Sequence, residues 1–401
     1  MHGPQLAHTL ADALPELAHE EPGTQFENPQ LVALNEPLAE ELGLDIEWLK
    51  SDDGLRFLTG SHGGHAMAYA GHQFGQFLPL LGDGRALLLG DTAGYEIQLK
   101  GSGPTAFSRP GTDGVGAIGP MLREHLVSSF MHAVGVPTTR SLAVLSTGGT
   151  VIRQQGAVPG GIVVRAAKSH LRVGTVQYAA TQSEELTQKV VQAAGFADAE
   201  DMLRTVTRRQ LDLVAHWMRL GFVHGVMNTD NVALSGETID YGPCAFTERF
   251  DGAASFSSID RQGRYAFGNQ PNIIAWNMAR LAEALYPLLG AEKVDAYVKS
   301  VQTTWDRAWQ RWIGNNHDGL NAAADITTYN REHGIGGQAG PVFIPRNHML
   351  QEAIDAAERH GDYAKYNELL AAVSDPYNEK AGPEWMARPE GQLPYVTFCG
   401  T

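Results

Sequence analysis

The chain alternates apolar and polar positions in parts of its first half and spaces apolar residues helically in its second half. Residues 95–100 alternate strictly, so a predicted strand places Ile97 and Leu99 on an apolar face. The same strand places Lys100 on the opposite, polar face. A second strand is predicted at 85–90, separated from the first by a turn that contains glycine.

The remaining elements follow the same two spacings. Short strands are predicted at 141–146 and 161–166. Apolar residues three or four positions apart predict helices, which cover residues 6–17, 37–49, 121–134, 184–194, 199–220, 272–289, 350–360 and 362–373. The chain is therefore predicted to be α+β, with its strands early and most of its helices late.

Composition restricts the classes of protein to which the chain can belong. It has 401 residues, of which 43% are hydrophobic and 19% charged, and this excludes a mainly disordered chain. Its formal net charge of −15 repels polyphosphate chains and anionic membrane surfaces, so neither nucleic acid nor a membrane is an expected partner. A local basic pocket could still bind a small nucleotide.

Cysteine content and the N-terminus indicate a compartment. Cys244 and Cys399 are the two cysteines and permit at most one disulfide, which suits a reducing cytosol. The first residues lack a basic stretch followed by an apolar run, and no segment approaches the ~18 apolar residues needed to span a bilayer. We therefore expect a cytoplasmic protein. Its oligomeric state does not follow from the sequence.

A polar loop after the helix predicted at 199–220 carries candidate ligands for a hard cation. Asn228, Asp230 and Asn231 lie in this loop. Asp240 follows after a short apolar run. Amide and carboxylate oxygens, together with the phosphate oxygens of a nucleotide, are the ligands that Mg²⁺ or Mn²⁺ prefers. On spacing alone, the alternative that these residues only stabilise a turn has similar weight.

Earlier elements favour the chemical interpretation because they occur in the order of a protein-kinase-like ATP site. In chain order they are a glycine turn at 82–85, Lys100 on a strand, Glu124 on the next helix, the loop with Asp230 and Asn231, and Asp240. The loop departs from the kinase pattern because it begins with His224-Gly225 instead of His-Arg-Asp. Tyr241 also replaces the Phe of the kinase Asp-Phe-Gly motif.

This order predicts a two-lobed kinase-like fold with the nucleotide between the lobes. Residues 1–170 are expected to form an N-terminal extension and a β-rich nucleotide-binding lobe. Residues 171–316 are expected to form a helical lobe with the catalytic and metal-binding loops. Residues 317–401 are expected to form a C-terminal helical extension and tail.

Dense motifs are spread along the chain, namely YAGHQFG at 69–75, LGDGRA at 81–86, LKGSG at 99–103, RAAKSHLRVG at 165–174, HGVMNTDN at 224–231, IDYGP at 239–243, GRYAF at 263–267 and NQP at 269–271. They closely resemble the selenoprotein O (SelO/YdiU) family, from about residue 25 to the C-terminus. The resemblance implies a kinase-like protein adenylyltransferase, which binds ATP in an inverted orientation and transfers AMP to Ser, Thr or Tyr hydroxyls of proteins. Some members are described as using UTP with Mn²⁺.

The resemblance also implies roles for individual residues, position by position in the motifs. Asp230 matches the proton acceptor, and Asn231 and Asp240 match the ligands of Mg²⁺ or Mn²⁺. Glu124 matches the helix glutamate that orients the strand lysine. The positions that match the nucleotide site are Gly82, Gly84, Arg85, Lys100, Asp113, Gly114, Glu124, Arg165, Arg172 and Asp240.

Three departures from the family pattern stand beside the resemblance. Where the family usually has Gly-Asp-Gly-Arg, this chain has an inserted Thr112, and Val115 replaces the Arg. The chain is shorter than typical members, and its end has no selenocysteine, so no redox role passes to Cys399. The sequence leaves open a kinase that transfers the γ-phosphate, UMP transfer from UTP, and an inactive nucleotide-binding scaffold. It does not name the acceptor proteins.

Overall fold

The computed structural model describes residues 3–153, 156–335, 339–380 and 395–398. Cys399 lies outside this described part of the chain. The fold is mixed α+β, with a large antiparallel sheet in the N-terminal half and most of the helical residues after it. Within the described ranges, no helix is long and apolar enough to cross a membrane.

Most strands of the described residues belong to one main sheet, which joins the hairpins β6-β7 and β9-β10 with strands distant in the chain. The strands are β1 (Ala18–Glu21), β2 (Gln30–Leu34), β3 (Gly64–Met67), β4 (Gly71–Gln73), β5 (Gln76–Leu78), β6 (Ala86–Thr92), β7 (Tyr95–Lys100), β8 (Gly116–Ala117), β9 (Arg140–Arg153), β10 (Gly156–Ala167), β11 (Phe222–Val223) and β12 (Ala245–Phe246). The sheet runs in the order β1-β3-β6-β7-β10-β9-β2, and β8 pairs with β10. Separately, β4 pairs with β5 and β11 pairs with β12.

Helices cover both faces of the sheet and form the C-terminal half. They are α1 (Thr9–Ala13), α2 (Glu36–Glu41), α3 (Ile46–Leu49), α4 (Asp52–Leu58), α5 (Ile118–Ala133), α6 (Val173–Gln182), α7 (Glu184–Ala193), α8 (Ala199–Leu220), α9 (Gln270–Leu289), α10 (Ala291–Trp312), α11 (His317–Ala322), α12 (Ile326–His333), α13 (Asn347–His360) and α14 (Ala364–Ser374). Helix α5 packs against β9 and β10, while α13 and α14 pack against α5.

Two apolar cores hold these layers together. The smaller core joins the apolar side of β6 and β7, including Leu87 and Leu99, to α2 and α3. The larger core continues from α5 through the helical half to α14. At its C-terminal end, Tyr366 of α14 lies with its hydroxyl oxygen 2.7 Å from Nδ1 of His125 in α5, and both side chains are buried.

Local sequence explains the element that leads to the polar loop. Asp198 accepts a hydrogen bond from the backbone N–H of Asp201 at 2.8 Å and so caps the start of α8. Gly221 ends α8 with φ +72°, a left-handed conformation that glycine adopts readily. The polar loop therefore starts at a fixed point, directly after β11.

The sequence predictions are confirmed where the pattern is long or strictly alternating, as in α8 and β7. The helix predicted at 6–17 is confirmed only at Thr9–Ala13, because Ala7 forms a β-bridge with Asp91 before it and Leu14 ends it with φ −130°. The helix predicted at 37–49 is divided into α2 and α3, because Gly43 has φ +70° between them. The short strands predicted at 141–146 and 161–166 are parts of the longer β9 and β10.

Candidate active site

A buried cluster of charged side chains lies where β7, β10 and α5 meet. Nζ of Lys100 donates to Glu124 Oε2 at 2.7 Å, and Nε of Arg165 donates to Glu124 Oε1 at 2.5 Å. These three side chains are at most 4% exposed. Arg165 is opposite Gln98 in the pairing of β10 with β7, so it shares a sheet face with Lys100. The predicted polar face of β7 therefore borders this charged cluster.

Asp240 enters the cluster from the helical half. Its Oδ1 accepts a hydrogen bond from Lys100 and lies 3.8 Å from Nη2 of Arg165. Burial opposes ionisation, but the charges of Lys100 and Arg165 hold the pKa of Asp240 well below its usual range. The charge of Arg85 also lowers the pKa of Asp240. Asp240 has φ +68°, a conformation uncommon for a residue with a side chain.

His224 supports the backbone that presents Asp240. Its Nε2 lies 2.9 Å from the carbonyl oxygen of Ile239, and its backbone N–H donates to Oε1 of Gln270 at 3.0 Å. Burial lowers the pKa of His224, so the ring is neutral at physiological pH. A neutral ring that donates from Nε2 to this carbonyl fixes the residue directly before Asp240.

Asp230 lies in a short 3-10 helix, Thr229–Asn231, and is 8% exposed. Burial raises the pKa of Asp230 to about 6. Its Oδ1 is buried and has no hydrogen-bond partner in the described part of the chain. The backbone at Gly71 closes over the carboxylate, because a Cβ there would lie 2.4 Å from Oδ1 of Asp230. A side chain at position 71 would therefore displace Asp230.

Arg172 lies beside Asp230 at the start of α6. Its Nη1 donates to the backbone carbonyl of Asp230 at 3.0 Å. The guanidinium carbon lies 4.6 Å from the centre of the Tyr69 ring, and Nη2 lies 3.6 Å from Oδ1 of Asp83. These contacts fix the cation between the sheet and the polar loop.

Asp83 and Gln98 were not predicted as site residues. Asp83 is 1% exposed, and its Oδ2 accepts hydrogen bonds from the backbone N–H of Met67 at 3.1 Å and from Nε2 of Gln98 at 3.2 Å. Gln98 also accepts a long hydrogen bond of 3.4 Å from Nη1 of Arg165. The signal for Gln98 is its position on the same strand face as Lys100. The signal for Asp83 is its place between the two glycines of the LGDGRA motif.

The predicted metal ligands, Asn231 and Asp240, lie on two loops of the helical half. Nδ2 of Asn231 donates to the carbonyl of Val226 at 3.1 Å, which leaves its amide oxygen as the group suited to a cation. Among the residues the structure describes, no three His, Cys, Asp or Glu side chains are grouped to hold a metal. One amide and one carboxylate need phosphate oxygens of a nucleotide to complete a coordination shell.

The glycine turn packs against the loop that follows β7. A Cβ on Gly82 would lie 2.3 Å from the ring of Phe107, and one on Gly84 would lie 2.9 Å from the Phe107 carbonyl oxygen. Gly82 also has φ +64°. Both glycines therefore let this loop lie directly on the turn.

The same loop carries Asp113 and Gly114. Asp113 accepts hydrogen bonds from both terminal nitrogens of Arg153, at 2.9 and 3.0 Å, and its side chain is 47% exposed. Hydrogen bonding to Arg153 lowers the pKa of Asp113. Gly114 packs on Gly103, where a Cβ would lie 2.3 Å from the carbonyl carbon. The structure thus places Asp113 in a surface ion pair, at the edge of the site.

The site residues fall inside a segment that matches a known family. The family described as protein adenylyltransferase SelO matches residues 5–323, a range that contains every site residue described above. The chain belongs to the SelO family. As a SelO protein it is an enzyme of the nucleotidyltransferase class, which confirms the prediction made from the motifs.

SelO relatives match over almost the whole chain. The protein nucleotidyltransferase YdiU of Mycolicibacterium paratuberculosis is 44% identical, over 97% of this chain and 96% of its own. The proteins of the same name from Corynebacterium glutamicum (strain ATCC 13032) and Cereibacter sphaeroides are each 42% identical, over 99% and 93% of this chain and 99% and 94% of their own. The first alignment extends over 476 positions, so at least 75 of them have no counterpart among these 401 residues.

Proposed function

We propose that this chain transfers AMP from ATP to Ser, Thr or Tyr hydroxyls of proteins, at the charged site between the sheet and the helical half. One observation carries the proposal. Arg165 Nη2 and Asp230 Oδ1 are buried and have no hydrogen-bond partner in the described chain. Such atoms cost free energy unless a ligand pairs with them. A guanidinium N–H suits a phosphate oxygen, and a carboxylate oxygen suits a hydroxyl group.

The proposed architecture is the two-lobed kinase-like one, with residues 1–170, 171–316 and 317–401 as its parts. The buried Lys100–Glu124 pair supports it, as does the contact of Lys100 with Asp240 from the other half. Lys100, Arg165 and Arg172 would bind the triphosphate, because guanidinium groups match phosphate oxygens with paired donors. The negative net charge of the chain does not oppose this binding, because these three positively charged side chains lie at the site itself.

Asp230 is the group proposed to accept the proton. The acceptor hydroxyl oxygen forms a bond to the α-phosphorus of ATP, and the bond from that phosphorus to the oxygen bridging the β-phosphate breaks. Pyrophosphate leaves with the bridging oxygen, and the hydroxyl proton passes to the Asp230 carboxylate. A pKa of about 6 makes Asp230 a stronger base than an ordinary aspartate and still leaves it ionised at neutral pH.

Mg²⁺ or Mn²⁺ fits the proposed ligands Asn231 and Asp240. Asn231 offers an amide oxygen, and Asp240 offers a carboxylate whose low pKa keeps it ionised. When bound, the metal neutralises negative charge on the triphosphate. Lys100 contacts Asp240 in this structure and keeps the carboxylate in place.

The experiment is transfer of label from ATP to a generic acceptor protein, with ATP labelled at either the α- or the γ-phosphate. We expect α-label on the acceptor with a mass gain of one AMP, and no γ-label. Retention of γ-label alone would make the enzyme a kinase, and no label from either position would make it a scaffold. α-Labelled UTP in the same assay measures UMP transfer, and Asp230→Asn is the inactive control.

A further inference from the structure

The hairpin of β4 and β5 exposes a run of apolar side chains beside the proposed active site. Residues 74–80 are all exposed. Among them, Phe74 is 39%, Phe77 42%, Leu78 37% and Leu80 52% exposed. Large apolar side chains grouped in this way mark interaction sites more often than ordinary surface.

The hairpin is attached directly to the loop that carries Asp230. The backbone N–H of His72 donates to Oγ1 of Thr229 at 2.7 Å, and the backbone N–H of Phe74 donates to Oδ1 of Asn228 at 3.1 Å. Thr229 and Asn228 directly precede Asp230 in the chain. The exposed apolar side chains therefore have a fixed position relative to the proposed proton acceptor.

The tip of the hairpin holds an aromatic residue in a strained conformation. Phe74 has φ +52° and is followed by Gly75 with φ +85°. Asn, Asp or Gly is the ordinary choice for the first of two such turn residues. The Phe74 ring contacts Tyr265, with ring centres 5.3 Å apart, yet it stays partly exposed. The turn needs this backbone conformation but not an aromatic side chain, and a residue other than glycine held in this conformation is typical of functional sites.

Arginines border the exposed run although the whole chain has a net charge of −15. Nη2 of Arg109 donates to Oε1 of Gln73 at 3.0 Å. The guanidinium carbon of Arg264 lies 3.4 Å from where a Cβ of Gly75 would be. An apolar surface with a basic rim is complementary to a segment with apolar and acidic side chains.

We propose that these side chains, the docking patch of Phe74, Phe77, Leu78, Leu80, Arg109 and Arg264, bind the acceptor protein. The segment that binds carries an apolar side chain and carboxylates close to the hydroxyl that receives AMP. The inference rests on the proposed function, because it names the substrate class of the same site. The docking patch sets affinity for the acceptor and leaves affinity for ATP unchanged.

Peptide binding measured by fluorescence anisotropy tests the inference with the full chain. One peptide has a central Ser flanked by Leu and Asp residues, and the other has Lys in place of each Asp. We expect the wild type to bind the acidic peptide at least about tenfold more tightly. Phe77→Asp should remove at least about tenfold of that affinity, as loss of one buried aromatic side chain predicts. Arg109→Glu should reduce the preference for the acidic peptide.

Val298→Asp is the matched control, because Val298 is an apolar residue of α10 with 59% exposure. It should bind the acidic peptide like the wild type, and all variants should keep wild-type affinity for ATP. Equal binding of both peptides by the wild type, or equal affinity of Phe77→Asp and Val298→Asp, would overturn the inference. A wild-type dimer that Phe77→Asp dissociates would also overturn it, since the docking patch would then hold a second copy.

Peptide binding does not require AMP transfer, so the two proposals fail separately. Selective binding of the acidic peptide without any transfer of α-label would refute the proposed function and support the docking patch. Transfer of α-label with no effect of Phe77→Asp on peptide affinity would support the function and refute the docking patch.

Discussion

Asp230 and Asp240 lie in consecutive loops, but their surroundings give them opposite proton affinities. Asp230 is buried with an unpaired carboxylate oxygen, and this burial raises its pKa to about 6. Asp240 is only partly buried, with 24% of its side chain exposed, and Lys100 and Arg165 keep it ionised. Two carboxylates whose pKa values are moved apart in this way are suited to different tasks, one as a base and one as a ligand for a cation.

Asp230→Asn should abolish AMP transfer and stabilise the folded protein above pH 6. In the wild type, transfer should rise as pH increases through about 6, because Asp230 must be ionised to accept a proton. The free energy of unfolding of the wild type should instead fall as pH rises. The folded-state pKa lies above the usual 3.8, so the unfolding free energy contributed by this group falls between about pH 4 and 6.

Asp230→Asn has no carboxylate to ionise inside the fold, so it avoids this loss in the free energy of unfolding, which is of the order of 1–3 kcal/mol. Its melting temperature at pH 8 should therefore exceed that of the wild type, while the two should agree more closely at pH 4. Transfer rates and melting temperatures across this pH range provide the measurement. A wild-type rate that does not depend on pH between 5 and 7 would exclude Asp230 as the titrating base.

Gly71→Ala should lower kcat for AMP transfer by about 10–100-fold, because small displacements of a reacting group have effects of this size. The new Cβ would lie 2.4 Å from Oδ1 of Asp230, so the carboxylate must move. Gly149→Ala is the control, since its nearest neighbour would be 3.9 Å away. Equal kcat values for the two variants would contradict the placement of Asp230.

At the scale of elements, the connection from β10 to α6 joins the sheet to the helical half. The backbone N–H of Lys168 donates to Oε2 of Glu237 at 3.0 Å, and the backbone N–H of His170 donates to Oε2 of Glu96 at 2.6 Å. Glu96 belongs to β7 of the sheet, and Glu237 belongs to the helical half. The segment that ends in Arg172 is therefore held by side chains from both halves of the molecule.

Glu237→Ala should lower the free energy of unfolding by about 1–3 kcal/mol, because it leaves the partly buried backbone N–H of Lys168 without its acceptor. Urea denaturation measures the change. Glu292→Ala, at an exposed position of α10, should stay within about 0.5 kcal/mol of the wild type. A Glu237 variant as stable as this control would show that the connection does not depend on the carboxylate.

The elements could be predicted where local signals agree. Asp198 and Gly221 bound α8, and its apolar spacing persists for six turns, so its limits follow from the sequence. Helix α6 was not predicted because it begins inside the RAAKSHLRVG motif, at Val173, and its glycine and β-branched residues weaken the helical pattern. The helix predicted at 6–17 is limited to Thr9–Ala13 because Ala7 forms an antiparallel bridge with Asp91 of β6, a contact that no local pattern contains.

The site was predictable in its parts and less so in its contacts. Chain order alone indicated that Lys100, Glu124 and Asp240 belong together, and the structure brings them into contact. The pairing of Asp83 with Arg172 depends on how the sheet meets the polar loop, which spacing does not reveal. The pairing of Asp113 with Arg153 likewise joins residues that are distant in sequence, and spacing does not reveal it.

At the scale of the whole molecule, the proposed nucleotide lies between two halves that meet at the charged cluster. Lys100, Glu124 and Arg165 come from the N-terminal half, whereas Asp240 comes from the helical half. A triphosphate that contacts groups from both halves adds contacts between them. Ligand binding should therefore be visible as a gain in the stability of the whole chain.

ATP with Mg²⁺ or Mn²⁺ should raise the melting temperature, and the rise should grow with nucleotide concentration. The corresponding gain in the free energy of unfolding should reach about 2.7 kcal/mol at 100 times Kd. Arg165→Ala should weaken ATP binding about tenfold or more, because a charge-assisted hydrogen bond is lost. Arg311→Ala removes a surface pair with Asp212 and is the control. Equal titration curves for the two variants would exclude Arg165 from the nucleotide site.

The contact between α5 and α14 has a consequence during synthesis on the ribosome. His125 and Tyr366 are 241 residues apart. At a synthesis rate of about 5–20 residues per second, α14 is therefore translated roughly 12–48 seconds after α5. Helices that are translated last cover this surface, and until then the nascent chain exposes it. We expect the nascent chain to engage chaperones during this interval, and a truncation before α13 to aggregate in the cell instead of accumulating as a folded N-terminal half.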